Sequence, residues 1–195
     1  SKDDALRSWA PVLLRSILCS LAVFVVLMFA ARGCVLTPDQ VESQLMLADL
    51  NAEEGAAYRS ANRLRPGVIE LPDGLQLEWL AKGEGLVPEV SDWVVVHYRG
   101  LHVDGRVFED SIRRGDPAVV PLERVIEGWR RALTGMPVGS TVRLVIPPDL
   151  AYGRAGGGAI GPEETLVFEL SLLDVVDAPV TPERTPDQQP VPGLR

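Results

Sequence analysis

Four aromatic residues that each lie close to a glycine are the side chains in this sequence best suited to form a binding site. They are Tyr98, Phe108, Trp129 and Tyr152, with glycines at positions 100, 105, 128 and 153. Because aromatic rings bury large apolar areas, an ordinary place in the hydrophobic core would account for any one of them. The alternative is an apolar trough with Trp129 at its floor, which would act on a ligand by shape and exclusion of water.

Covalent and metal-assisted chemistry have little support in the sequence. The chain contains no GxSxG, HExxH or GxxxxGK[ST] motif, and its only cysteines, Cys19 and Cys34, lie near the start. The glycine run 156–158 lacks the lysine and hydroxyl residue of a phosphate-binding loop. His97 and His102 are five residues apart in strand-like sequence and should therefore face opposite sides. We expect neither a metal site nor a cofactor.

The charge of the chain argues against nucleic acid as a partner. There are 27 acidic and 19 basic residues, which give a formal net charge of −8. Binding to a phosphate backbone draws its affinity from clustered lysine and arginine side chains, so a net negative charge makes nucleic acid an unexpected partner.

The residues from 12 to 31 form an apolar segment that predicts a membrane anchor. Twenty residues at ~1.5 Å each can cross a hydrocarbon core of ~30 Å, with Arg15 reaching the headgroups. Lys2 and Arg7 precede the segment and mainly acidic sequence follows it. This asymmetry predicts a single pass with the N-terminus in the cytoplasm, lipid contact through residues 12–31, and the rest of the chain outside the cytoplasm.

Two other interpretations of the start, residues 1–34, stay open. The same order of basic, apolar and small residues is typical of a cleaved secretory signal. A lipoprotein attached through Cys34 is the second alternative, because a glycine directly precedes this cysteine.

A helix is predicted to follow the anchor. Thr37, Pro38 and Gln40 have the order of an N-cap, a first helical residue and the partner of a capping box. Alanine, glutamate and glutamine favour continuation to about Asn62 or two residues beyond. We interpret residues 35–65 as a spacer helix, with a docking helix for a partner or for a second copy as the alternative.

From about Ile69 the sequence changes to the two-residue periodicity of strands. Alternating segments occur at 75–80, 94–99, 141–146 and 166–172. One helix is predicted, from about Leu122 to Leu133, so the fold class is α+β with an antiparallel sheet over a single helix. The predicted domain spans 66–177, and the proline-rich residues 178–195 form a mobile tail.

Five short motifs resemble the FKBP-type peptidyl-prolyl cis-trans isomerases, in the order of that family, between about Gly67 and Val175. They are VVHYRG at 95–100, DGRVFEDS at 104–111, VIEGW at 125–129, AYG at 151–153 and TLVF at 165–168. The preceding residues 65–76 are similar to the macrophage-infectivity-potentiator branch, whose members carry an N-terminal helical extension and act outside the cytoplasm.

The resemblance implies a five-stranded antiparallel sheet wrapped around a short helix, and a trough that accepts a proline ring. The implied catalytic residues are Tyr98, Phe108, Glu109, Ile126, Trp129, Tyr152 and Phe168, and the further substrate-binding residues are Val120, Val125 and Ile160. In the family, the backbone N–H matching Ile126 and the hydroxyl matching Tyr152 donate hydrogen bonds to carbonyl groups of the ligand. The residue matching Ile160 lies on a loop that closes over the pocket.

The sequence differs from the family pattern in three places. Glu109 replaces an aspartate, Val120 replaces an aromatic residue, and the loop from Gly153 to Ile160 is one residue shorter and rich in glycine. The expected function is a membrane-tethered isomerase of proline-containing polypeptides that assists folding of exported proteins. The alternative is an accessory or scaffold subunit of a membrane protein complex with little turnover, and dimerisation through residues 38–64 is a third possibility.

Overall fold

The computed structural model describes residues 37–178. The predicted membrane segment, residues 12–31, lies outside this range, as does the predicted tail except for its first residue. Among the described residues no helix is both long and apolar enough to cross a membrane. The chain divides into two compact units between Met46 and Leu47, and the second unit contains the whole sheet.

The first helix, α1, spans Pro38–Asn62, which confirms the helix predicted from the capping sequence. The backbone N–H of Thr37 donates to the side-chain carbonyl oxygen of Gln40 at 2.9 Å. In return, the N–H of Gln40 donates to the Thr37 hydroxyl at 3.3 Å. Each residue thus satisfies a backbone donor of the other, as in a capping box.

Seven strands and two short α-helices follow α1. They are β1 (Val68–Glu70), β2 (Gln76–Ala81), β3 (Trp93–His102), β4 (Val107–Asp110), α2 (Ser111–Arg114), β5 (Ala118–Pro121), α3 (Glu127–Leu133), β6 (Thr141–Ile146) and β7 (Leu166–Val176). All neighbouring strands are antiparallel, in the order β1-β2-β6-β7-β3-β4, and β5 also pairs with β3. The predicted α+β class with an antiparallel sheet is confirmed.

The sheet has seven strands rather than the expected five. Strands β4 and β5 both pair with β3 and share one edge of the sheet, and α2 separates them. Asp110 caps α2 by accepting the N–H of Arg113 at 3.0 Å, and Gly115 ends it with a φ of 68°. A side-chain cap and a left-handed glycine favour a helical turn over a continuous strand. The three-residue strand β1 adds to the opposite edge.

The helix predicted from Leu122 to Leu133 is interrupted, so that part of the prediction is wrong. A single 3-10 turn covers Leu122–Arg124, and α3 begins only at Glu127. Between them, Val125 and Ile126 are extended, with ψ values of 163° and 148°. Both residues are β-branched and lose rotamer freedom in a helix, which favours an extended pair here.

Helix α3 packs directly on the sheet and closes the core. A Cβ atom on Gly128 would lie 2.6 Å from a side-chain carbon of Ile146, so only glycine permits this approach. The fully buried residues beneath and around the helix include Leu75, Val94, Val96, Leu122, Leu133, Leu144, Ile146, Leu166 and Leu170. This apolar layer fixes α3, and with it Trp129, against strands β6 and β7.

Candidate active site

One cavity of about 460 Å³ opens beside α3. All ten residues that the sequence analysis singled out line this cavity: Tyr98, Phe108, Glu109, Val120, Val125, Ile126, Trp129, Tyr152, Ile160 and Phe168. The structure therefore brings together side chains from positions that are up to 70 residues apart in the sequence. A mainly apolar cleft with a few polar groups is the usual form of a small-ligand or peptide-residue site.

Four aromatic rings, those of Tyr98, Phe108, Trp129 and Phe168, form the floor and one wall of the cavity. The indole ring of Trp129 lies edge-to-face against Tyr98, with centroids 4.9 Å apart, and against Phe168, at 5.3 Å. Phe168 makes the same kind of contact with Phe108 at 5.7 Å. These are preferred aromatic geometries, so the floor is a packed and well-defined surface.

Gly100 allows two of these rings to approach strand β3. A Cβ atom at this position would lie 2.5 Å from the ring of Phe108 and 2.9 Å from the ring of Phe168. Such distances are sterically impossible without movement of both rings. The absence of a side chain at Gly100 therefore sets the positions of the two phenylalanines.

The extended backbone before α3 leaves a polar donor at the cavity. The carbonyl oxygen of Ile126 accepts the N–H groups of Trp129 and Arg130 at 3.0 and 3.1 Å. The N–H of Ile126 itself has no acceptor within residues 37–178. The indole N–H of Trp129 is buried and also has no partner in the described part of the chain. The unpaired backbone N–H of Ile126, a residue that lines the cavity, is therefore a candidate donor to a ligand carbonyl.

The two acidic residues that follow Phe108, Glu109 and Asp110, have different partners. Glu109 lines the cavity and forms an ion pair with Arg114. Asp110 instead caps α2 and lies 3.7 Å from the guanidinium group of Arg99. Glu109 therefore stays in the lining despite its extra methylene, with its carboxylate paired to Arg114.

A glycine-rich loop covers one side of the cavity. Gly157 and Ile160 exchange two backbone hydrogen bonds, at 2.9 and 3.0 Å. Gly156 has a φ of 66°, and a Cβ atom there would lie 2.4 Å from the carbonyl oxygen of Ile160. Ile160 is buried, whereas Tyr152 is 45% exposed. The buried Ile160 and the more exposed Tyr152, which directly precedes the loop, both line the cavity.

Four lining residues were missed by the sequence analysis: Ala118, Arg124, Gly157 and Ala159. Gly157 and Ala159 adjoin Ile160 in the loop, and their position could have been inferred from it. Arg124 falls inside the helix predicted from about Leu122 to Leu133, but in the structure it ends a separate 3-10 turn and lines the cavity. No group of three or more potential metal ligands occurs among the described residues.

Comparison with known proteins agrees with this geometry. A sequence profile described as FKBP-type peptidyl-prolyl cis-trans isomerase matches residues 86–173. The crystal structure of FkpA from Escherichia coli is 35% identical in sequence, with a TM-score of 0.65, and the match covers 82% of this chain and 83% of that one.

This chain belongs to the FKBP family.

Two curated FKBP relatives extend the comparison. The FKBP-type 22 kDa peptidyl-prolyl cis-trans isomerase of Escherichia coli strain K12 is 48% identical over 126 residues, which are 64% of this chain and 61% of that protein. The outer membrane protein MIP of Legionella longbeachae is 46% identical over 132 residues, 67% of this chain and 57% of that protein. The chain thus spans little more than half of the length of these relatives. The resemblance seen in the sequence is confirmed at the level of the family and of its Mip and FkpA members.

Proposed function

We propose that this FKBP domain catalyses cis-trans isomerisation of X-Pro peptide bonds in proline-containing polypeptides. The observation that carries the proposal is the convergence of all ten expected residues on one apolar cavity, beside the unpaired N–H of Ile126. The isomerase names of the curated relatives add support. The site needs no nucleophile for this reaction, because no covalent intermediate is formed.

The chemical task is to favour a twisted amide over its planar forms. Amide resonance sets a rotation barrier of about 18–20 kcal/mol. Unaided isomerisation of an X-Pro bond consequently takes about 10–100 s. A twisted amide has lost resonance and is less polar at its carbonyl group, so an apolar, water-poor cleft disfavours it less than the planar amide. Interactions that stabilise the twisted form more than the planar form lower the barrier.

Each part of the cavity has a role in this proposal. The indole face of Trp129 supports the proline ring, with Phe108 and Phe168 beside it. The N–H of Ile126 donates to a substrate carbonyl group and orients the chain on the floor. The hydroxyl of Tyr152, a residue that is 45% exposed, supplies a second donor. Together these groups hold the bond in a position where rotation occurs away from water.

The test is a proline-peptide isomerisation assay with the full chain and with Trp129→Ala. We expect acceleration over buffer by the unaltered protein and near-complete loss of it in the variant. Trp79→Ala is the matched control, because Trp79 is a half-buried tryptophan of β2 that does not line the cavity. Folded protein that gives no acceleration over buffer would refute the proposed activity.

We further propose that the domain is tethered to a bacterial inner membrane through residues 12–31 and assists folding of exported proteins in the periplasm. The apolar segment and the charge asymmetry around it support this location. Attachment through a lipidated Cys34 is the alternative. Intact-mass measurement on membrane-extracted protein separates the two, because only lipidation removes the residues before Cys34 and adds acyl chains.

The scaffold alternative is not favoured, since the relatives are named as isomerases. It would regain support if the chain were found in a stoichiometric membrane complex and Trp129→Ala still complemented a deletion. Purification only as a free monomer in detergent would count against it.

A further inference from the structure

The second half of α1 contacts the loop that covers the cavity. The side-chain amide of Asn51 donates to the carbonyl oxygen of Pro162 at 2.8 Å. Pro162 is two residues beyond Ile160, which lines the cavity. This hydrogen bond joins residues 111 positions apart in the chain. It connects a helix outside the cavity to the segment that covers it.

The same segment is held from a second side by Glu164. One carboxylate oxygen accepts the N–H of Gly161 at 2.7 Å. The other oxygen pairs with the imidazole ring of His102, and both side chains are largely buried. The His102 ring lies edge-to-face against Phe108, with centroids 5.1 Å apart. The returning arm of the loop is therefore tied to a wall of the cavity as well as to α1.

The close approach of α1 at this point depends on two glycines. A Cβ atom on Gly55 would lie 2.4 Å from the hydroxyl of Thr165. A Cβ atom on Gly161 would lie 2.8 Å from the amide nitrogen of Asn51. Glycine in the middle of a helix lowers its stability relative to alanine, so Gly55 is best explained by this close contact.

A second polar attachment joins α1 to the sheet away from the loop. The side-chain amide of Asn62 donates to that of Gln76 on β2 at 2.8 Å. Arg143 on β6 donates to the Tyr58 hydroxyl at 2.7 Å. None of these four residues lines the cavity. Asn51 and Asn62 of helix α1 thus each donate a side-chain amide hydrogen bond to a carbonyl oxygen. Only the bond from Asn51 reaches the loop.

We propose that Asn51 is a positioning residue for the isomerase site. By holding the Pro162 carbonyl group, it fixes the part of the loop that carries Ile160 over the bound proline. Helix α1 then contributes to substrate binding, in addition to its predicted role as a spacer helix. This inference rests on the proposed function, since it concerns the same cavity and the same substrate.

The experiment compares Asn51→Ala with Asn62→Ala in the full chain. For Asn51→Ala we expect a raised KM and a fall in kcat/KM on the order of tenfold, below the ~10²-fold that a 1 Å misplacement can cost. Asn62 is more buried than Asn51, so Asn62→Ala should lower the urea midpoint more and leave KM and kcat unchanged. Asn51→Gln, which keeps the amide donor, should restore part of the lost kcat/KM.

Amide hydrogen exchange supplies a readout that does not depend on catalysis. The N–H groups of Gly157, Ile160 and Glu163 are hydrogen-bonded within the loop at 2.9 to 3.0 Å. Exchange across residues 153–164 should become faster in Asn51→Ala and stay unchanged in Asn62→Ala. Unchanged loop exchange in Asn51→Ala, or equal acceleration in both variants, would overturn the inference.

The two proposals fail in different ways. If the unaltered chain does not accelerate isomerisation, the proposed function is wrong, and the exchange comparison together with affinity for a proline peptide decides the role of Asn51. If the chain is active but Asn51→Ala has unaltered KM and loop exchange, only the positioning role is lost.

Discussion

The floor of the cavity and the surface between α1 and the sheet are stabilised by different interactions. The floor consists of aromatic rings in edge-to-face contact, with Phe168 only 3% exposed. The α1 surface consists of side-chain amides, guanidinium groups and hydroxyls. Burial lowers the pKa of the Arg59 guanidinium at this surface, while the nearby Glu70 and Asp149 oppose the shift. Apolar burial supplies most of the folding free energy, whereas directional bonds fix the relative position of the parts they join.

The apolar core and the α1 surface lie on opposite faces of the same strands. On β2 and β6, Leu77 and Leu144 pack in the apolar core. Gln76 and Arg143, which directly precede them, bond to α1 instead. Because successive side chains of a strand point to opposite faces, the same pairing of β2 with β6 places leucines in the core and polar residues against α1. We therefore expect substitutions on the floor to act mainly on stability and catalysis together, and substitutions at the α1 surface to have smaller effects.

The largest effect is expected for Phe168→Ala. Removal of a buried phenylalanine costs about 3–5 kcal/mol in the free energy of unfolding, and here it also removes ring contacts to Trp129 and Phe108. Urea denaturation measures the loss. Leu173→Ala, at a 42% exposed position of the same strand, is the control and should change stability far less. Similar losses in the two variants would contradict the assignment of Phe168 to the floor.

A smaller loss is expected for Gly55→Ala at the α1 surface. Alanine would favour the helix by about 1 kcal/mol. Against this, the new methyl group would overlap Thr165, and overpacking costs about 1–3 kcal/mol. We expect net destabilisation in thermal unfolding. Ser60→Ala, at an exposed position of the same helix, should instead stabilise slightly. A stabilised Gly55→Ala variant would show that α1 does not lie this close to Thr165.

The backbone donor of Ile126 can be tested with a pair of variants. The φ of Ile126 is −58°, which proline adopts without strain. Ile126→Pro removes the N–H, while Ile126→Ala shortens the side chain and keeps it. A neutral hydrogen bond contributes about 0.5–1.5 kcal/mol, so kcat/KM of the proline variant should be about two- to tenfold below that of the alanine variant. Equal values in the peptide assay would remove this donor from the mechanism.

The smallest effect is expected at the rim. Arg124 is exposed, lines the cavity, and forms no salt bridge within residues 37–178. We expect it to favour peptides with an acidic residue next to the proline by about 0.2–1 kcal/mol, which is the range of an exposed ion pair. Arg124→Gln should abolish the difference in kcat/KM between glutamate- and glutamine-containing peptides. The preference should also decline with added salt.

The lining of the cavity could be predicted from the sequence, because its residues occur in short motifs with a recognisable order. The start of α1 was also predictable, since Thr37 and Gln40 interact locally. The interruption of one sheet edge by α2 could not be predicted from the strand pattern. Whether residues 111–114 form a strand or a helical turn depends on the cap at Asp110 and on Gly115. The contact between Asn51 and Pro162 was hidden for a different reason: a hydrogen bond across 111 positions leaves no periodic signal in either segment.

The divided edge of the sheet also matters for solubility. Unpaired N–H and C=O groups along a sheet edge can recruit another extended chain and so initiate aggregation. Here the outer edge consists of two four-residue strands, β4 and β5, with α2 between them. The opposite edge ends in the three-residue strand β1. The part of the chain that the structure describes thus offers only short edges for strand addition, which limits aggregation by edge-to-edge pairing.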